Sequence, residues 1–225
     1  MTVHATQPVV VAFGWLDREH LLGSSGCHQR WSELDAPAPG TGRTFRAAFG
    51  RADETFRRLD ALSRALVLAA EAAGLATALP AELRAETAVL LETQLGCLDA
   101  DLRFARSMAA GLPEGPIFPY TLPSTSLGEL ALRHGLRGPS NCLCVLPGER
   151  SVALREAQLL FASGEARLAV VARAEVLTVA RPSVEVCCEV AVALLALPEV
   201  GLREVAEWQG AAAGLAGWLA GLRGS

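Results

Sequence analysis

The residues from Asn141 to Leu154 follow the order in which many enzymes place a nucleophile: an apolar strand, a sharp turn and a helix. A side chain at such a turn is exposed, and the N-terminus of the following helix stabilises negative charge. The pattern places Pro147 at the apex of the turn. Proline has no nucleophilic atom and no backbone N–H, so the segment has the layout of a catalytic site without its chemistry.

Two cysteines close to this turn are the alternative nucleophiles. Cys144 precedes Pro147 by three residues, and Cys142 lies two residues before Cys144 in the same segment. Both fall inside the predicted strand, where neither a helix N-terminus nor exposure lowers the pKa of a thiol. We therefore favour cysteines that pack in the core or in an interface, and a small cysteine-dependent acyltransferase is the alternative function. The six cysteines form no CxxC pair and no Cys/His metal spacing, so no metal site and no cofactor is predicted.

The elements that must position these residues alternate between strand and helix patterns. Strands are predicted at Val9–Leu16, Thr87–Gln94, Asn141–Leu146, Ala166–Leu177 and Ser183–Leu197, and helices at Leu59–Leu75, Asp99–Ala110, Thr125–His134, Val152–Ser163 and Leu202–Leu222. The segments Gly23–Gly42 and Gly111–Pro123 are rich in glycine and proline and are predicted to be loops. The alternation predicts an α/β fold, a mixed and mostly parallel sheet layered with helices, in one domain over residues 1–225.

Composition excludes several classes of protein. The 225 residues are 51% hydrophobic and 20% charged, which predicts a large buried core. The net charge is −4, and the chain has no lysine and no basic block, which argues against general nucleic-acid binding. The N-terminus lacks the pattern of a signal peptide, and no apolar run approaches the roughly 20 residues of a membrane span. We therefore expect a cytoplasmic protein.

Residues 118–140, with the sequence FPYTLPSTSLGELALRHGLRGPS, resemble the segment that precedes the nucleophile in β-ketoacyl-ACP synthases, which have the thiolase fold. In that family a Phe-Pro-rich loop leads into a helix at the dimer interface. A Gly-Leu-x-Gly-Pro-Ser turn then enters the strand that carries the active-site cysteine. The family spacing, counted from Ser140, puts Pro147 at the cysteine position.

A second departure from the family concerns the length of the chain. A full synthase is about twice as long, and its second half supplies two histidines that assist decarboxylation and condensation. The four histidines of this chain lie in other segments: His4, His20, His28 and His134. The resemblance therefore implies one half of a thiolase fold, without the nucleophile and without its histidine partners.

This pattern is similar to the chain-length-factor-like subunits of aryl polyene and other type II fatty acid or polyketide systems. The resemblance implies a non-catalytic subunit that pairs with a full-length, active β-ketoacyl-ACP synthase and shapes its acyl tunnel. An acyl carrier protein is a further partner that it suggests. A homodimer, acting as a self-associating scaffold, is the alternative assembly.

The resemblance also implies roles for individual residues. In this family the strand before the nucleophile pairs across the dimer axis. The expected partner interface is therefore this strand: Asn141, Cys142, Leu143, Cys144, Val145 and Leu146. Leu122, Thr125 and Ser126 are expected to face the acyl pocket of the partner. A bulky residue such as Leu122 would limit the length of the acyl chain by steric exclusion.

Overall fold

Seven strands form one sheet in the computed structural model, which describes residues 7–34, 44–149, 151–178, 187–205 and 213–220. The strands are β1 (Val9–Leu16), β2 (His20–Gly23), β3 (His28–Arg30), β4 (Thr87–Thr93), β5 (Ser140–Cys144), β6 (Leu168–Leu177) and β7 (Cys187–Ala196). The helices are α1 (Thr44–Phe49), α2 (Ala61–Ala73), α3 (Leu75–Ala78), α4 (Leu98–Ala109), α5 (Pro123–His134), α6 (Val152–Ser163) and α7 (Ala213–Leu219). The order across the sheet is β3-β2-β1-β7-β6-β4-β5.

The direction of neighbouring strands follows from the connections between them. Strand β4 runs parallel to both β5 and β6. Helices α4 and α5 separate β4 from β5, and α6 separates β5 from β6, so these strands have the helical crossovers that parallel pairing requires. The other neighbouring pairs are antiparallel. The α/β class is thus confirmed, but the expectation of a mostly parallel sheet is wrong, because four of the six neighbouring pairs of described strands are antiparallel.

The two faces of the sheet pack against different helices. Val89 and Leu91 of β4 belong to the apolar cluster around α2 and α5, whereas Ala88 and Leu90 belong to the cluster around α6 and α7. Side chains alternate between the faces of a strand. Glu92 follows Ala88 and Leu90 in this alternation and therefore points towards α6.

Helix α2 is surrounded on most sides. Ten of its 13 residues are buried. The carboxylate of Asp60 caps its N-terminus by accepting the N–H groups of Leu62 (3.3 Å) and Ser63 (3.0 Å). The helix lies so close to β1 that a Cβ on Gly14 would stand 1.8 Å from the carbonyl oxygen of Ala69. Glycine at this position is therefore a requirement of the packing.

Most of the predicted elements are confirmed, with small shifts at their ends. Strand β1 and helix α6 have the predicted bounds, and α5 begins two residues before the predicted Thr125. The predicted loop Gly23–Gly42 contains β3, whose short polar sequence has no alternation that predicts a strand. The predicted loop Gly111–Pro123 contains a 3₁₀ turn over Gly115–Thr121.

The C-terminal predictions are only partly covered by the described residues. Residues 183–186 of the predicted strand Ser183–Leu197, and residues 206–212 and 221–222 of the predicted helix Leu202–Leu222, lie outside them. Residues 202–205 are not helical, and the N–H of Val205 instead donates to the carbonyl oxygen of Val10 (2.8 Å). Helix α7 is the described part of the predicted helix. None of the described helices combines the length and the apolar character that a membrane span needs.

Candidate functional site

The turn between β5 and α6, residues 145–151, is called the elbow below; Arg150 lies outside the described residues. Pro147 is exposed and belongs to a small turn in which the N–H of Glu149 donates to the carbonyl oxygen of Leu146 (3.0 Å). The residue directly before α6 is Ser151, four residues further along the chain. The structure thus separates the two features that the sequence placed together: Pro147 lies on the surface, and a different residue lies at the helix N-terminus.

Ser151 is buried and has a left-handed backbone, with φ 63° and ψ 24°. This conformation is costly for a residue with a side chain and often marks a functional site. The Ser151 hydroxyl donates to the carbonyl oxygen of Trp218 in α7 (3.2 Å). A carbonyl cannot act as a general base, so this contact does not activate the hydroxyl as a nucleophile.

The described histidines lie in other parts of the fold. His20 is in β2 and His28 is in β3, at the sheet edge opposite β5. His134 is in α5, which packs on the sheet face opposite α6. None of these three is therefore placed to serve as a base for Ser151.

Glu92 provides the N-terminal cap of α6 that Ser151 does not provide. Its side chain is fully buried. Its carboxylate accepts the N–H groups of Ala153 (2.9 Å) and Ser151 (3.3 Å) and the indole N–H of Trp218 (2.9 Å). The guanidinium of Arg173 in β6 donates to the same carboxylate (3.2 Å) and balances its charge. The positive end of α6 therefore already faces an anion that belongs to the chain.

Strand β5 forms one edge of the sheet and pairs with β4 alone among the described strands. The N–H of Val145 donates to the carbonyl oxygen of Thr93 in β4 (3.0 Å). Alternate residues of a strand direct their N–H groups to the same side, so Asn141 and Leu143 also face β4. The N–H groups of Cys142 and Cys144 therefore point outwards, away from the sheet.

The side chains of the expected interface differ in their exposure to solvent. Asn141, Cys144 and Leu146 are exposed, Cys142 and Leu143 are half-buried, and Val145 is buried. Leu146, two residues after β5, is 70% exposed. The Asn141 amide donates to Glu156 of α6 (2.8 Å), which ties the edge to that helix.

The two cysteines proposed as alternative nucleophiles differ in their surroundings. Burial, with a smaller contribution from Cys144, raises the pKa of the Cys142 thiol to about 11. The Cys142 thiol is thus protonated at neutral pH and is a poor nucleophile. Cys144 is exposed at the end of β5 and is not at the N-terminus of a helix.

The three residues expected to face an acyl pocket point in different directions. Leu122 precedes α5 and is 62% exposed. The Thr125 hydroxyl donates to the carbonyl oxygen of Pro119 (2.6 Å). The Ser126 hydroxyl is buried and shares a hydrogen bond with that of Ser63 in α2 (2.9 Å). Only Leu122 thus presents an apolar side chain to the exterior.

Thr125 also lines a cavity of about 580 Å³ beside α4. Arg57, Arg58, Arg64 and Arg103 contribute to the same lining. Arg103 forms an ion pair with Glu114, which also lines the cavity. A cavity lined by this many charged residues does not suit a buried acyl chain.

Comparisons with solved structures identify the fold, whereas comparisons of the sequence find no match. No protein-family model matches the sequence, and no curated protein matches it. Among solved structures, the ishigamide ketosynthase/chain length factor has a TM-score of 0.63 at 16% identity, covering 88% of this chain and 64% of that chain. The ketosynthase ApeO in complex with its chain length factor ApeC, from Xenorhabdus doucetiae, has a TM-score of 0.53 at 16% identity, covering 84% of this chain and 79% of that chain.

A third solved structure, AntDE:AntF, is a type II polyketide synthase acyl carrier protein in complex with its ketosynthase. Its TM-score is 0.57 at 15% identity, over 88% of this chain and 64% of that chain. The chain has the fold of the ketosynthases and chain length factors, which confirms the expected thiolase-like architecture. It spans 64% of the length of the first and third of these structures.

Proposed function

We propose that this chain is a non-catalytic, chain-length-factor-like subunit, one ketosynthase-N-terminal-like domain, that pairs with an active β-ketoacyl-ACP synthase. The observation that carries the proposal is the open edge of β5. An edge strand with outward N–H and C=O groups is a template for pairing with another chain. The similarity of the fold to ketosynthase and chain length factor pairs supports the same assignment.

Exposed apolar side chains near β5 and at the start of α5 support a protein partner. Leu122, directly before α5, is 62% exposed, and Leu146, two residues after β5, is 70% exposed. Leu159 of α6 is 65% exposed and lies one helical turn from Glu156, which contacts Asn141 of the edge. These side chains would be removed from water in a complex, which favours association.

The contacts of the elbow support the absence of catalysis. Ser151 donates to a carbonyl oxygen, Glu92 takes the N–H groups at the start of α6, and Pro147 offers no nucleophile. In the complex, this chain would contribute Leu122 to the wall of the synthase's acyl tunnel. An acyl carrier protein of the same system is the further partner proposed for the assembled pair.

Co-expression with a full-length β-ketoacyl-ACP synthase from the same organism tests the proposal. We expect a stable one-to-one heterodimer by size-exclusion chromatography with light scattering. Cys144→Pro should weaken the heterodimer because it removes an outward N–H of β5. The matched control Cys144→Ser keeps that N–H and should pair normally.

Two results would contradict the proposal. A chain that remains alone in the presence of the synthase would exclude the pairing. A chain that forms a homodimer by itself, and loses it in Cys144→Pro, would instead assign the β5 edge to self-association. Intact mass after incubation with an acyl thioester tests the acyltransferase alternative, in which wild type would gain an adduct that Cys144→Ser lacks.

A further inference from the structure

The start of α6 holds a complete set of donors for an anion. Two backbone N–H groups, an indole N–H and a guanidinium converge on the carboxylate of Glu92. An ionised carboxylate is only an acceptor, and every contact of Glu92 supplies a donor. Backbone N–H groups at a helix N-terminus, assisted by a cation, are what an enzyme uses to bind a carboxylate or a developing oxyanion.

We propose that Glu92 is a built-in anion that fills this pocket, with α7 as its cover, and so excludes an external carboxylate or oxyanion from the elbow. The proposal rests on the contacts of Glu92 and does not depend on any partner. It is tested on the purified chain alone, so its failure would leave the proposed pairing untouched.

Helix α7 contributes the cover through Trp218. Its side chain is buried, its indole N–H donates to Glu92, and its carbonyl oxygen accepts the Ser151 hydroxyl. The helix packs closely against β1, because a Cβ on Gly214 would stand 2.5 Å from the ring of Trp15. Trp218 therefore contacts both the anion and the residue that precedes α6.

Removal of the built-in anion should leave a pocket that accepts acetate. Glu92→Ala deletes the CH2–COO⁻ part of the side chain, and acetate restores those atoms. We expect acetate to raise the melting temperature of Glu92→Ala in a saturable way, beyond its effect on wild type at the same ionic strength. The matched control is Glu156→Ala, a half-buried carboxylate on α6 that contacts Asn141 (2.8 Å) and should show no such gain. An equal response to acetate in all three proteins would overturn the proposal.

A second measurement does not require the alanine variant to fold. Ser151→Cys places a thiol at the start of α6, and its alkylation by iodoacetamide can be followed at that peptide by mass spectrometry, apart from the native cysteines. With Glu92 present, the helix N-terminus and Arg173 are already neutralised, and the thiol should react slowly at pH 7. Adding the near-isosteric Glu92→Gln should lower the thiol pKa and speed alkylation about tenfold or more.

The role of Trp218 in the cover is tested by the same alkylation rate. Trp218→Phe, in the Ser151→Cys background, removes the indole N–H and keeps most of the ring, and should give an intermediate rate. Equal rates with Glu92 and with Gln at this position would overturn the proposal. A Ser151→Cys thiol that already reacts rapidly with Glu92 in place would do the same.

Discussion

The elbow and the β5 edge lie next to each other along the chain, but their polar groups are satisfied in opposite ways. At the elbow, the N–H groups that begin α6 bind the carboxylate of Glu92, and Arg173 and Trp218 complete its contacts. At the edge, the N–H groups of Cys142 and Cys144 point away from the only described strand that pairs with β5. A region closed by the chain's own groups has little capacity to bind a reacting ligand, whereas an open edge can bind another strand. The contrast supports the proposed role in assembly.

The largest expected effect comes from removing the carboxylate of Glu92 at the elbow. Glu92→Ala leaves Arg173 without its carboxylate and leaves the Trp218 indole and the first N–H groups of α6 without an acceptor. We expect the free energy of unfolding to fall by about 3–5 kcal/mol, because removing one partner of a buried ion pair leaves the other charge uncompensated. Urea denaturation measures this. Glu156→Ala should change the same quantity by no more than about 0.5 kcal/mol, and similar losses in both variants would contradict the contrast.

The next effect concerns the helix that supports the open edge. His134 is buried near the end of α5, and its Nε2 has no hydrogen-bond partner among the described residues. Burial, with repulsion from Arg133 and Arg84, lowers the pKa of His134 to about 4. Between pH 6.5 and 4 the unfolded chain binds a proton at this histidine that the folded chain does not, so stability falls as the pH falls.

This loss should amount to about 3 kcal/mol and should be complete below pH 4, where both states are protonated. Carboxylates also titrate in this range, so the quantity to compare is the difference between wild type and a variant without the histidine. His134→Leu should be less sensitive to acid than wild type by that amount in urea denaturation at pH 7, 5.5 and 4. Parallel curves for the two proteins would show that His134 is not buried in its neutral form.

The sequence predicted the strand and the helix on either side of the elbow, because both carry local apolar patterns. The contacts of Glu92 have no local pattern. They join residues 59 to 126 positions apart, and the sequence around Glu92 is that of a buried strand. Ser151 did carry a signal, since serine before an apolar helical segment is a common N-cap. The spacing carried over from the family motif instead predicted Pro147 at the nucleophile position.

The smallest expected effects separate two residues that the sequence grouped at the acyl pocket. Ser126→Ala removes the hydrogen bond to Ser63 inside the α2–α5 contact and should reduce the free energy of unfolding by about 1 kcal/mol. Because Ser126 is buried within this chain, its loss should leave the product length of the assembled synthase unchanged.

Leu122→Ala should have the opposite pair of effects. It should barely alter stability, since Leu122 is exposed, and it should lengthen the acyl products by reducing steric bulk. Denaturation of the free chain and mass analysis of products from the reconstituted pair measure the two effects. A change in product length with Ser126→Ala and none with Leu122→Ala would place the tunnel wall on the opposite side of α5.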